Sequence, residues 1–211
     1  DALACVNPRR ADSAYPHEHL AGGAVAFKVG QALVEAHDPV YIQTYHEYAL
    51  PLAGLATLGD YMPLNLENRA IAREGFTRLL DCGLTGLVET ARYRDVESIR
   101  DLAWSVVPFL NAAKEDESGD LMLDLLLADN QRAISKMHTR LEAYREQRQA
   151  ERQAQEAHLA ACFDAQVYPE ADELFIIETE EYVGGGPMIG LSEEWGKPVI
   201  TYREKSGGYQ E

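Results

Sequence analysis

Apolar and polar positions alternate with a helical period over most of the chain and with a strand-like period near its end. The first twenty residues are polar and carry Asn7-Pro8 and Tyr15-Pro16, which read as an ordered loop or extended entry. Residues 20–36 form an apolar helix through Phe27, Val29, Leu33 and Val34, opened by Gly22, Gly23, Ala24 and Ala26. Two glycines are weak helix formers, so close packing at the helix start explains them better than propensity. A second apolar stretch covers residues 45–58 and is interrupted by Pro51. Glu67 or Asn68 then opens a helix through Ile71, Gly75, Leu79 and Leu80, stopped by Gly83. Residues 95–110 form another helix with Val96, Ile99, Leu102, Ala103 and Val106 on one face, and residues 121–128 a short, very apolar one.

Asp129 or Asn130 caps the longest predicted helix, residues 131–163. Its stripe of Ile134, Met137, Leu141 and Tyr144 gives way to Arg, Gln, Glu and Ala. Such a helix packs with its first half, while its second half is largely exposed, either as a solvated charged face or as a link between two domains. After Pro169 the period switches. Leu174-Phe175-Ile176-Ile177 is a short strand, Gly184-Gly185-Gly186-Pro187 opens a helix to Trp195, and residues 198–202 form a second strand. This strand–glycine loop–helix–strand unit belongs to an α/β domain that does not finish within the sequence.

Composition narrows the function classes. The 211 residues are 46% hydrophobic and 26% charged, ordinary for a globular chain. No run of eighteen apolar residues exists, so no membrane span is expected. Cys5, Cys82 and Cys162 lie far apart with no C-x-x-C pair, which excludes a disulfide scaffold and a zinc ribbon and fits a reducing cytoplasm. The chain opens on Asp1 without a signal segment and reads as a piece of something longer. Its net charge is −16, with a pI near 4.7. That argues against a generic basic nucleic-acid binder. Residues 131–160 alone are net positive, through Arg132, Lys136, Arg140, Arg145, Arg148 and Arg152.

Few residues offer chemistry. Gly184-Gly185-Gly186 allows either an anion cradle or a tight strand-to-helix turn, and Glu178, Glu180 and Glu181 beside it would repel phosphate. His17, Glu18 and His19 resemble a metal cluster only in sequence. Adjacent residues point in different directions, and a satisfied or exposed loop histidine fits better. Cys82, at an apolar helix end, reads as core. Asp60 follows an apolar stretch and a glycine, and a carboxylate there is a cap, a salt-bridge partner or a metal ligand.

Several stretches, in order, resemble the RecJ family of DHH phosphoesterases, the single-strand-specific 5′→3′ exonucleases. Residues 1–10, DALACVNPRR, resemble the family's A-x-V-N-P-K-R. Tyr15-Pro16 and residues 19–28, HLAGGAVAFK, resemble YPFKxLAGxGVAFKL. Residues 55–64, LATLGDYMPL, resemble ALGTVADVVPL, and Glu67-Asn68-Arg69 continues the match. Asn111-Ala112-Ala113 resembles the start of NAAGR, residues 144–149 the ERQ-containing linking helix, and residues 195–200, WGKPVI, the YGKPVI of the DHH-associated domain.

The resemblance implies an α/β protein in three parts. Residues 1–128 would be the mostly helical C-terminal portion of a DHH catalytic domain, 129–163 a long linking helix, and 164–211 the start of a DHH-associated α/β domain. It implies metal-dependent hydrolysis of single-stranded DNA in repair and recombination, in the cytoplasm, on a two-metal Mn²⁺ or Mg²⁺ centre. Asp60 alone matches a family metal ligand and would face a cleft rather than bulk solvent. The Asp-x-Asp, a following Asp and the Asp-His-His would all precede Asp1, so no catalytic residue is assigned, Asp60 is the single metal ligand, and the chain alone should be inactive. Arg145, Arg148 and Arg152 are the candidate DNA contacts. Two exchanges depart from the family. Its NAAGR arginine falls on Glu115 and its WHPGVIG histidine on Glu180, putting negative charge where the family meets DNA. They favour an alternative, a catalytically degenerate scaffold that binds replication and repair proteins.

Overall fold

The computed structural model describes residues 4–165, 173–180 and 183–203. Residues 1–3 of the first matching stretch, Pro169, and Glu181 and Tyr182 of the glycine-loop region lie outside the described residues. The chain divides into two compact units, residues 1–144 and 145–211.

The first unit is helical. Helix α1 (Gly22–His37) leads through a 3₁₀ turn, Pro39–Tyr41, into α2 (Ile42–Gly59) and then α3 (Leu66–Arg78). Gly23 lets α1 close on α2, because a Cβ there would lie 2.6 Å from that of Ala56. Gly22 meets nothing within 4 Å, so the packing argument for the glycine pair holds at one of them. Pro51 does not interrupt α2. It is buried inside the helix, which runs on to Gly59. Ala24, Phe27, Leu50, Ala53 and Ile71 close a small core between these helices.

A larger core is formed by residues 79–144 with Leu55, Leu58 and Ala72 of α2 and α3. Helix α4 (Thr85–Tyr93) was not expected from the sequence, although Leu84, Leu87, Val88 and Ala91 repeat at helical spacing. The helix expected over 95–110 begins later, where Ser98 caps Asp101 N–H. It comprises α5 (Ile99–Asp101), a π-helical turn over Leu102–Val106, and α6 (Val107–Asn111). Helix α7 (Leu121–Leu127) follows, and Asn130 Oδ1 accepts from the N–H groups of Arg132 and Ala133 to start α8 (Gln131–Ala165). Leu87, Leu102, Phe109, Leu125, Ile134 and Leu141 are almost fully buried together. Met137 and Tyr144 of the expected stripe are half-buried.

The unit boundary falls at residues 144 and 145, inside α8. In the second unit, β1 (Phe175–Glu178) and β2 (Val199–Tyr202) pair in parallel, with α9 (Gly185–Trp195) as the crossover that parallel pairing requires. Leu159, Ile177, Val183 and Leu191 are buried there, and the rings of Phe163, Phe175 and Trp195 pack at 4.4–5.4 Å between centroids. Gly196 closes α9 in the left-handed region, at φ 67°, where glycine carries no Cβ penalty. The secondary structure is thus mixed α/β and mostly helical.

Candidate functional site

Asp60 ends α2. Its N–H donates to Ala56 O at 3.0 Å, and its side chain is exposed rather than set against a cleft wall of the described residues. The reason is local. Leu55, Thr57 and Leu58 face the core, and the chain then turns outward at Tyr61, whose φ of 51° is left-handed. Leu66, at the far end of the same loop, has φ 43°. Non-glycine residues held there each cost roughly 1–2 kcal/mol, so surrounding contacts must fix the loop.

Asn68 is the principal such contact. It is fully buried, and its Nδ2 donates to His19 O at 2.6 Å and Pro63 O at 3.1 Å. The side chain therefore ties the segment around His19 to the loop after Asp60. Its Oδ1 is buried with no hydrogen-bond partner among the described residues, and so is Nε2 of His17. His17 corrects the expectation of an exposed or satisfied loop histidine, being 5% exposed and 6.1 Å from His19 ring to ring. His19 lies 3.1 Å from Arg9 Nη2, and Arg9 Nε donates to Glu18 O. Among the described residues no three His, Cys, Asp or Glu side chains are placed to hold a metal ion. The residues present therefore do not by themselves fit a two-metal centre. Asp60 is a single carboxylate.

Three of the stretches singled out in the sequence do meet. Tyr15 O–H donates to Glu67 Oε2 at 2.9 Å, and Lys28 Nζ lies 3.3 Å from the same oxygen. Burial pushes the Tyr15 phenol up, reinforced by Glu67. Burial works to lower Lys28, but Glu67 and Tyr15 outweigh it and the ammonium is held above its usual range.

Two polar nodes escaped the sequence reading. Asp116, directly after Glu115, is 5% exposed and accepts from Ser118, Arg140 and Tyr144 O–H. The Ser118 hydroxyl, working against burial, and then Tyr144 and Arg140 hold this carboxyl below its usual range. His138 occupies the inner face of α8, stacked on Tyr93 at 4.6 Å and 2.9 Å from Thr90 Oγ1. Burial lowers its pKa, against Glu89 and Glu142. Its place between Met137 and Leu141 was the available signal.

Four basic side chains of α8, the three candidate DNA contacts among them, already have partners. Arg140 pairs with Asp116 and Arg152 with Glu156 at 2.8 Å. Arg145 and Arg148 also have partners. Glu115 and Glu180 are both exposed. Cys82 is buried, and its thiol is pushed up by burial. No described helix is long and apolar enough to cross a membrane.

No family model matches the chain. It is similar to the single-stranded-DNA-specific exonuclease RecJ of Bacillus subtilis, 30% identical over 154 residues, covering 71% of this chain and 18% of that protein. RecJ of Salmonella typhimurium is 27% identical over 226 aligned residues, covering 99% of this chain and 39% of the relative. The chain therefore spans well under half the length of these relatives. Among solved structures, RecJ of Thermus thermophilus in complex with Mg²⁺ superposes with a TM-score of 0.61 at 26% identity, over 85% of this chain and 28% of that one. Exonuclease RecJ bound to manganese gives 0.60 at 26% identity, over 85% and 45%.

Proposed function

We propose, on the premise that this chain is a RecJ-family segment, that it supplies one wall and one carboxylate, Asp60, of a metal-dependent single-strand exonuclease. The carrying observation is the loop after α2. Tyr61 and Leu66 bracket it in left-handed backbone, and Asn68 locks it from beneath, so the position of Asp60 is fixed although its carboxylate is exposed. A fixed, solvent-facing carboxylate suits Mn²⁺ or Mg²⁺, hard cations that take oxygen ligands. The relatives crystallised with those two ions favour the same pair here. In a protein that joins this segment to Asp-x-Asp and Asp-His-His motifs, Asp60 completes the ligand set. The activity proposed is 5′→3′ hydrolysis of single-stranded DNA in repair and recombination. Residues 1–128 would belong to the catalytic domain, 129–163 to a linking helix and 164–211 to a DHH-associated domain.

The DNA contacts expected at Arg145, Arg148 and Arg152 would require existing partners to be exchanged for phosphates. One observation favours a second reading, a scaffold for replication and repair proteins. The net charge is −16, and Glu115 and Glu180 stand at the surface where the family carries Arg and His. Digestion of a 5′-labelled single strand by the longer protein, with and without Mn²⁺, separates the two. The nuclease reading predicts that Asp60→Ala lowers the rate by roughly a hundred- to a thousandfold with unchanged thermal unfolding, the scale of losing one preorganised contact to the developing charge. Metal-independent or Asp60-independent digestion would reject it, and no digestion by a protein with all ligands present would favour the scaffold.

A further inference from the structure

Two aromatic rings beside Asp60 do nothing to hold the core. Tyr61 is 81% exposed and Trp104 67% exposed, yet they meet edge to face with centroids 6.5 Å apart. Each is presented by an irregular backbone feature. Tyr61 sits at φ 51°, a conformation that a bulky side chain avoids. Trp104 lies in the π-helical turn Leu102–Val106, a rare form that recurs at functional sites. Neither irregularity buries its ring. Leu102 and Val106 of the same turn are buried, so the turn aims Trp104 away from the core that its neighbours fill.

We propose that Tyr61 and Trp104 form a stacking platform for a nucleobase of single-stranded DNA, placed beside the carboxylate at Asp60. This rests on the single-strand reading above and deepens it by naming what recognises the strand. Tyr61 follows Asp60 directly, so a base on this pair is held next to the proposed reaction centre. An unpaired base offers a π-face to any aromatic ring, whereas a duplex keeps its bases stacked inside, so the pair discriminates single from double strands. The net charge of −16 opposes phosphate contacts, so binding that survives high salt is the signature that separates base stacking on this pair from charge attraction.

The test uses residues 1–211 with Trp195→Phe, which leaves Trp104 as the one indole of the two in the chain. Its emission is titrated with a short oligothymidylate and with an abasic strand of equal length, at about 1 M salt, where charges are screened beyond roughly 3 Å. The platform predicts quenching that survives the salt, with the abasic strand binding about tenfold or more weakly. Tyr61→Gly should weaken oligothymidylate binding about five- to a hundredfold and also raise the melting temperature, because glycine accepts the left-handed backbone freely. A merely structural ring would not give that opposite pair of changes. No binding, equal binding of the two strands, or full affinity in Tyr61→Gly overturns the platform. So does quenching by a proline-rich peptide but not by DNA. The nuclease reading fails separately, if Asp60→Ala leaves strand digestion intact in the longer protein.

Discussion

The two units hold together by different means, and the first carries the candidate chemistry. In residues 1–144 the apolar core is pinned by buried polar side chains. Asn68 fastens the Asp60 loop, Asp116 fastens the 112–120 region to α8, and His138 sits among Thr90, Tyr93 and Phe109. In residues 145–211 the described core is a small apolar cluster around Ile177 with an aromatic trio. Among the described residues its sheet has two parallel strands, and Ile176 and Ile200, paired in register, are both about half exposed. Buried polar contacts cost desolvation and are retained where geometry has to be unique. Among the described residues the second unit has one buried polar side chain, Thr179, and the first has six, Asn68 of the Asp60 loop among them.

The largest expected effect breaks the first unit's core. Phe109 is fully buried against Tyr93 and His138, and Arg94 lies over its ring. Phe109→Ala should cost about 3–5 kcal/mol in urea titration, whereas Ile177→Val in the second unit should cost about 0.5–1.5 kcal/mol. Equal losses would contradict both figures, because the first change removes a buried ring and the second a single methylene.

A smaller effect concerns pH. Burial lowers the folded pKa of His138, and Glu89 and Glu142 oppose it only in part. The unfolded chain therefore takes up this proton first as pH falls. Stability should be fully present above the ordinary histidine range and decline below it. Thermal melts from neutral to mildly acid pH should show that decline, and His138→Gln should flatten it. An unchanged slope in the variant would assign the acid limb to other groups.

The smallest effect belongs to the exposed part of α8. Arg152→Gln removes one surface pair with Glu156 and should shift stability by no more than about 0.5 kcal/mol. A larger loss would show that this stretch is held as tightly as the part of α8 before Tyr144.

Much of this was legible beforehand. The helices at residues 22–37, 121–127 and 131–165 and both strands follow hydrophobic period, caps and glycine turns, which are local properties. Pro51 misled, because its missing N–H suggested a break while the surrounding packing keeps α2 whole. Helix α4 escaped although its apolar spacing was present. Its Gly86 permits contact with α7, since a Cβ there would overlap the carbonyl of Leu125, and that partner is not visible in a local pattern. Asp60 was found through its neighbours in sequence. Asn68, Asp116 and His138 were not, because their roles depend on residues 24 to 49 positions away.

Counting Mn²⁺ ions bound per chain tests the central claim most directly, because it reads the ligand role of Asp60 without turnover. Electron paramagnetic resonance titration would be run on residues 1–211 and on a protein that joins them to Asp-x-Asp and Asp-His-His motifs, with and without Asp60→Asn. The account predicts no tight Mn²⁺ on residues 1–211, two ions on the protein that carries all the motifs, and at least roughly tenfold weaker binding in its Asp60→Asn variant with the fold intact. Two ions held with undiminished affinity in that variant would remove Asp60 from the metal site and contradict the account.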